Sequence, residues 1–325
     1  MSDKFTASMR EKASKLNLRV ALPDSNDVRS IEASVILKND KIAVPVLVGD
    51  SSAIKKTAAD NNINIDGIEI VDPSTSDLKN EFAEILFENR KHKGMTKEKA
   101  LETNLDSLYF AGLMLETGRV SVVVGGNVSS TGNVMRAAIH TVGVAEGISV
   151  VSSYFIMVFP DKKLCFADCA VNPDPTAPQL ADIAITSARN FQSVTGEDPR
   201  VAMLSFSTNG SANTPAVEKV QEATKIVKEK APDIPSDGEL QLDAAIVPAI
   251  GAKKFPGSKV AGNANVLVFP DLNAGNIGYK LTQRLAGAEA VGPIVQGLKK
   301  PFCDLSRGCS TDDMVNVAAI CVLMA

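Results

Sequence analysis

Residues 120–124 read Val-Ser-Val-Val-Val and run straight into Gly125-Gly126. A strand with almost no polar face must be covered on both sides, which in a water-soluble chain means a parallel sheet wrapped by helices. The residues before it keep the same rhythm. Strand-like stretches at 17–22, 44–48 and 68–71 alternate with helical periodicity at 27–37, 52–61, 76–91, 96–103 and 105–117. The 76–91 stretch places Leu78, Phe82, Ile85, Leu86 and Asn89 on one face. The expectation is an α/β fold.

The middle of the chain differs. Residues 150–159 and 163–167 read as paired strands turning at Pro160-Asp161, and the Pro-rich 172–178 stretch leads into a helix at 178–193. Further on, 201–206, 266–269 and 289–296 read as strands, and 214–230, 244–250, 272–285 and 311–324 as helices. With 325 residues the chain exceeds the ~250–300 at which single cores stop growing, so two domains are expected.

Charge excludes several classes. Charged residues make up 22% and the net charge is −4, so no polybasic surface for nucleic acid or membrane is expected. An acidic chain that handles anions must concentrate its arginines locally. Residues 1–17 are polar, without the apolar stretch of a secretory signal. The longest apolar run, 317–325, falls short of the ~20 residues a membrane helix needs, and the expected location is the cytoplasm. Five cysteines, an odd number, read as reduced, buried thiols. Cys165 and Cys169 are spaced C-x3-C and only His92 and His140 could assist them, so no metal site is expected. His92 reads as a solvated helix end and His140 as structural, which leaves a carboxylate as the general base.

Three segments carry chemistry. The first, Gly125-Gly126-Asn127-Val128-Ser129-Ser130-Thr131-Gly132-Asn133, follows the buried strand and opens a helix. Glycines there let backbone N–H groups approach an anion, with help from the helix dipole. It is neither a Walker A nor a G-x-G-x-x-G motif, and a plain strand-to-helix turn fits equally. Arg136 near that helix start opposes the dipole by ~0.3–1 kcal/mol, which favours an anion facing it. The second runs from Asp304-Leu305-Ser306-Arg307-Gly308-Cys309-Ser310 to Asp313. Asp313 reads either as a base beside Ser306 and Arg307 or as the N3 partner of Ser310 in a capping box, and the spacing allows both. Met314, Val317, Ala318, Cys321 and Met324 mark the buried face of the helix that follows. The third, Gly262 to Lys280, puts asparagines and glycines at a strand's carboxyl end, where open α/β sheets bind ligands, although turn and cap chemistry favours the same residues.

At these segments the chain resembles the phosphate acetyltransferase family. The likeness runs from Asp24-Ser25-Asn26-Asp27-Val28-Arg29 to the C-terminus. It includes Arg90-Lys91-His92-Lys93-Gly94, Ser130-Thr131-Gly132-Asn133-Val134-Met135-Arg136, Asp168-Cys169-Ala170-Val171-Asn172-Pro173-Asp174-Pro175 and Leu204-Ser205-Phe206-Ser207-Thr208. The block Ser306-Arg307-Gly308-Cys309-Ser310 with Asp313 is the most specific. The 265–280 block is shared with phosphate butyryltransferases and with a domain fused to some malic enzymes.

The resemblance implies two α/β domains around a cleft, similar to isocitrate and isopropylmalate dehydrogenases, in a homodimer. It implies acetyl transfer between phosphate and coenzyme A by direct attack of the coenzyme A thiolate on acetyl phosphate, with coenzyme A a substrate and no metal or other cofactor. Ser306, Arg307 and Asp313 match the family's catalytic residues. Arg90 and Arg136 match arginines implicated in coenzyme A binding, with Arg284 a further candidate. Ser130, Thr131, Gly132, Tyr279 and Lys280 are candidate substrate contacts. If the Gly-rich loop and the Ser306 block form one site, residues 1–148 and 293–325 make one discontinuous domain and 149–292 an inserted one. Three alternatives remain at this point: longer acyl chains, as in phosphate butyryltransferases; a dehydrogenase of similar fold, for which no nicotinamide fingerprint is present; and a non-enzymatic sensor of acetyl phosphate.

Overall fold

The apolar runs become strands, and the strands sort into two sheets. The computed structural model describes residues 2–325. One unit comprises Thr6–Ala145 with Leu298–Ala325; the other comprises Glu146–Gly297 with the residues up to Phe5. In chain order the strands are β1 (Arg19–Leu22), β2 (Val44–Val48), β3 (Glu69–Val71), β4 (Val122–Gly125), β5 (Ser152–Val158), β6 (Lys163–Ala167), β7 (Val201–Leu204), β8 (Ser236–Leu240), β9 (Val266–Val268), β10 (Glu289–Gln296) and β11 (Phe302–Asp304).

The first unit holds a parallel sheet of order β11-β4-β1-β2-β3. The chain builds outward from β1 to β3, then returns to place β4 on the other side of β1. That reversal between β1 and β4 is where an open α/β sheet parts its loops and leaves a crevice for ligands. All four residues of β4 are buried, as the apolar run requires. The rings of Phe82 and Phe110 meet at 4.9 Å over this sheet, in a core shared with Phe302. Each such ring contributes ~1.5–3 kcal/mol by leaving water.

The second unit holds a sheet of order β10-β5-β6-β9-β7-β8. β10, β5 and β6 pair antiparallel and the rest parallel. β5 and β6 form the expected hairpin. The helix Leu272–Leu285 packs so closely that a Cβ on Gly275 would lie 2.1 Å from the Asp168 carbonyl oxygen.

Several expectations need correction. The polar N-terminal stretch contains a helix, Ser2–Ser14, whose Arg10 bonds Asn316 and Asp312. The helix Thr311–Met324 has no single buried face: every residue from Met314 to Val322 is buried, while Met324 is only half-buried. It packs on β4 and on the helix Val28–Asn39. β8 escapes sequence patterning because Ser-Asp-Gly-Glu-Leu carries two acids. They are satisfied in place, Asp237 by Lys228 and Ser258, Glu239 by Ser207, Gly210 and Gln221. The 244–250 helix is two helices, Leu242–Ile246 and Pro248–Lys254, because Pro248 has no N–H to continue the first. Pro293–Gln296, expected with the C-terminal piece, belong to β10, where Ile294, Val295 and Gln296 pair with Tyr154, Ser153 and Ser152.

Candidate functional site

Three loops leave the carboxyl ends of neighbouring strands in the first unit: 23–27 after β1, 126–130 after β4 and 305–310 after β11. Gly126 turns the chain at φ +97°, and a Cβ there would sit 2.1 Å from Asp304 Oδ1, so no other residue fits.

The 126–130 loop departs from the expectation of an open anion cradle. Asp24 Oδ2 accepts the N–H groups of Gly126 (2.7 Å), Val128 (3.2 Å) and Ser129 (3.2 Å), and Oδ1 accepts the Ser129 hydroxyl (2.7 Å). The loop's inward donors already hold an anion, and it belongs to the chain itself. An outside anion is left the start of the helix Thr131–Thr141. Ser130 caps Asn133 N, while the N–H groups of Thr131 and Gly132 keep no protein partner among the described residues. Ser130, Thr131 and Gly132 are exposed.

The 305–310 loop exposes Ser306 and Arg307 and buries Cys309. Both readings of Asp313 meet in one side chain. Its Oδ2 accepts the Ser310 N–H (2.9 Å) and hydroxyl (2.8 Å), and Ser310 Oγ in turn accepts Asp313 N (3.1 Å), which is the capping box. Its Oδ1 takes no hydrogen bond among the described residues, so an acceptor remains after capping. Cys309 is a poor nucleophile: burial pushes its thiol up, against the pull of Arg29.

Arg29 ties the three loops together. Its fork grips Asp27 at 2.8 and 2.9 Å, Nη2 donates to the Asn127 carbonyl (2.9 Å), and Nη1 donates to the carbonyls of Arg307 and Cys309 (both 2.9 Å). These bonds hold the Asp27 carboxyl below its usual range. The fork bridges the ends of β1, β4 and β11, the outer two of which are separated by β4 in the sheet and about 280 residues apart in sequence.

Arg136 is the sixth residue of an eleven-residue helix, too deep for the dipole penalty inferred from sequence. Its case rests instead on company. Arg90 and Arg136 both act on the pair Tyr109 Oη–His140 Nδ1, which are 3.1 Å apart. Burial first, then the two guanidiniums, push His140 down. Among the described residues Arg10, Arg19, Arg29, Arg119 and Arg189 have carboxylate partners, and Arg200 donates to carbonyls. Arg90, Arg136, Arg284 and Arg307 have neither, and Arg136 reaches only Asn133 Oδ1, at 3.4 Å. An acidic chain that leaves four arginines unpaired has room for anions there.

Tyr279, Lys280 and Arg284 lie on the helix Leu272–Leu285 of the other unit. Tyr279 stacks on Phe155 at 4.2 Å, and its ring lies 5.8 Å from the Lys280 ammonium. Asn265 and Asn276, read as possible cleft lining, serve structure: Asn265 bridges Arg200 N and the Asp198 carbonyl, and Asn276 bonds the Cys169 carbonyl. Sequence reasoning missed Asp24, Arg29, Asp304 and Tyr109. The first two stand in the 24–29 motif, where a charged pair flanking a strand end was the available signal. No group of three or more His, Cys, Asp or Glu among the described residues is placed to hold a metal.

Comparison with known proteins bears on this arrangement. Residues 4–322 match the family model described as phosphate acetyl/butaryl transferase. A phosphate acetyltransferase of Clostridium acetobutylicum is 48% identical over 98% of this chain and 97% of its own. The crystal structure of a phosphotransacetylase from Streptococcus pyogenes superposes with a TM-score of 0.95 at 39% identity, covering 99% and 98% of the two chains. At 12% identity and a TM-score of 0.59, a putative 4-hydroxythreonine-4-phosphate dehydrogenase from Salmonella typhimurium, covering 95% and 99%, shares the fold, which is thus dehydrogenase-like as expected.

Proposed function

The chain belongs to the phosphate acetyl/butaryl transferase family, and we propose that it is a phosphate acetyltransferase, converting acetyl-coenzyme A and phosphate to coenzyme A and acetyl phosphate by direct transfer. The observation that carries this reading is the Arg29 fork, which fastens the Ser306–Arg307 loop beside the start of the helix Thr131–Thr141. That union sets a hydroxyl, a carboxylate oxygen, and a guanidinium and two N–H groups without protein partners among the described residues, on loops from adjoining strands.

In this reading Arg307 pairs with the phosphoryl oxygens, which its planar fork suits. The N–H groups of Thr131 and Gly132 and the hydroxyls of Ser130 and Thr131 add donors to the same anion. Ser306 hydrogen-bonds the thiol or the oxyanion that forms at the acetyl carbonyl. Asp313 Oδ1 takes the thiol proton while Oδ2 keeps the helix cap. A thiol near ~8.5 is a much weaker acid than a carboxylic acid near ~3.9, and full transfer before attack costs about 6 kcal/mol. Transfer concerted with attack avoids that cost. Arg90 and Arg136, beside His140 and Tyr109, bind coenzyme A through its phosphates. No cofactor enters the reaction, since coenzyme A brings its own thiol.

We further assign the protein to the cytoplasm, in keeping with five buried cysteines outside any disulfide and with the lack of a helix long and apolar enough to cross a membrane among the described residues. A homodimer is supported by an apolar stripe on the helix Leu272–Leu285, where Ile277, Leu281 and Leu285 are 56%, 52% and 80% exposed. Leu281→Glu is expected to yield monomers in sedimentation.

The test is acetyl-coenzyme A formation from acetyl phosphate and coenzyme A with no metal or cofactor added, repeated with butyryl phosphate. Preference for the acetyl substrate supports the reading. Preference for butyryl phosphate moves the chain to the longer-acyl enzymes, and binding of acetyl phosphate without turnover makes it a sensor.

A further inference from the structure

Asp304 ends β11, which packs against the helix Thr131–Thr141, and is 5% exposed. Other buried carboxylates of this protein are surrounded by donors. Asp168 accepts from Ser153, Ala170, Val171 and Asn172, and Asp182 from Ser149 and Lys230. Among the described residues Asp304 makes no close hydrogen bond: the Thr131 hydroxyl is the one donor near enough to act on it, and its Oδ1 has no partner. That oxygen faces the Gly126 backbone, where a Cβ would lie 2.1 Å away. Among the described residues no cation acts on it. The loop after β1 brings the Asp24 carboxylate, the helix brings Thr131, and the loop after β4 brings Gly126. Arg29 is spent on Asp27 and three carbonyls. Asp304 is therefore poorly placed as an anchor and well placed to hold a proton. Burial, with some opposition from Thr131 and a push from Asp24, raises it to about 6.

Thr131 is exposed while its hydroxyl reaches this buried acid. It therefore connects Asp304 with whatever anion meets the helix start. We propose that Asp304 is a positioning residue that couples binding of the phosphoryl anion to uptake of a proton: neutral, it lets the anion settle at Thr131 and Gly132, and ionised, it repels it. This rests on the reading of that helix start as the phosphate seat. The sign follows from charge. An incoming phosphoryl group favours the neutral acid, so affinity falls as pH rises through the ionisation of Asp304, by at most about tenfold per pH unit for one proton.

The test uses the full chain and its Asp304→Asn variant, whose side chain stays neutral. The KM for phosphate is measured from pH 5.5 to 8, with the KM for coenzyme A as internal control. The wild-type to variant ratio of phosphate KM is expected to climb about tenfold across this range, while the ratio for coenzyme A stays level. Parallel phosphate profiles in a folded, active pair overturn the role of Asp304 and leave the acetyltransferase reading standing. A wild-type chain without phosphate-dependent acetyl transfer overturns both. Should the variant misfold, calorimetry of the wild type with sulfate, which does not titrate in this range, decides alone. Heats at pH 6.5 that vary with buffer ionisation enthalpy report the proton taken up, and heats independent of buffer overturn the proposal.

Discussion

Replacing Arg29 is expected to damage catalysis without touching a substrate. The side chain makes five bonds of 2.8 to 2.9 Å, two to Asp27 and three to carbonyls of the other two loops. A hydrogen bond to a charged group is worth ~1.5–3 kcal/mol. The side chain is 25% exposed, so water replaces part of what is lost and the lower end applies. Three carbonyls at that end come to about 4.5 kcal/mol, so with the Asp27 carboxylate left alone Arg29→Met is expected to cost about 5 kcal/mol. Arg29→Lys is the sharper perturbation. It keeps the charge, but a point ammonium cannot span Asp27 and three carbonyls at once. We expect it to lose about 2 kcal/mol in urea unfolding. A loop shift of about 1 Å at Ser306 lowers kcat about 10²-fold. Coenzyme A affinity, which we assign to Arg90 and Arg136, should move only a few-fold. The assay is steady-state acetyl-coenzyme A formation beside equilibrium unfolding. If Arg29→Lys loses stability but keeps wild-type kcat, the loops hold their own geometry and the clamp argument fails.

Asp313→Asn keeps an oxygen for the Ser310 cap but cannot take the thiol proton; kcat is expected to fall ~10²–10⁴-fold with stability lowered by at most ~1–2 kcal/mol. Asp312→Asn is its control, weakening contacts with Arg10 and Asn316 and keeping turnover, and equal losses in both would indicate a general field effect. Cys309→Ala should retain substantial activity with sequential kinetics, whereas an acetyl group isolated on Cys309 would overturn direct transfer. Asp182 is held low despite burial, by Ser149 and Lys230. Its contribution is therefore present above its unfolded value near ~3.9 and fades as pH falls through the folded one. Asp182→Asn should then be less stable than wild type at pH 7, and the gap should narrow below pH ~4 in urea unfolding.

How far the sequence could be read depends on where the information sits. β4, the helix Leu272–Leu285 and β10 were legible because apolar periodicity is local and strong. The polar strand β8 was not, because its acids are excused by partners far along the chain, such as Ser207 for Glu239. The same division runs through the site. Ser306, Arg307 and Asp313 stood out through a short motif, and the Ser310–Asp313 spacing foretold the capping box. Nothing local reveals that Arg29 reaches the carbonyls of Arg307 and Cys309, since strand order, which sequence spacing does not encode, makes those loops neighbours. Arg136 was singled out for the wrong reason, its assumed place at a helix start. The informative fact, that no carboxylate answers it, exists only once the chain is folded.

The Gly-rich loop shows why motif chemistry must be checked against the surrounding charges. Glycine and serine N–H groups converging at a strand end can cradle a phosphate, and from sequence that was the attractive reading. Here Asp24 fills the cradle from within. The loop therefore takes its shape when the chain folds rather than when substrate arrives, so binding carries no cost of ordering it. An internal carboxylate also places negative charge where a phosphate is to dock nearby. Attraction must then come from cations outside the loop, and the unpaired Arg307 on the adjoining loop supplies it. Asp304 adds a second carboxyl to the same crowded region. With Asp24 engaged by four donors, adding an external anion beside two carboxylates is unfavourable unless one of them gives up its charge. Asp304, with a single donor, is the one least able to keep it.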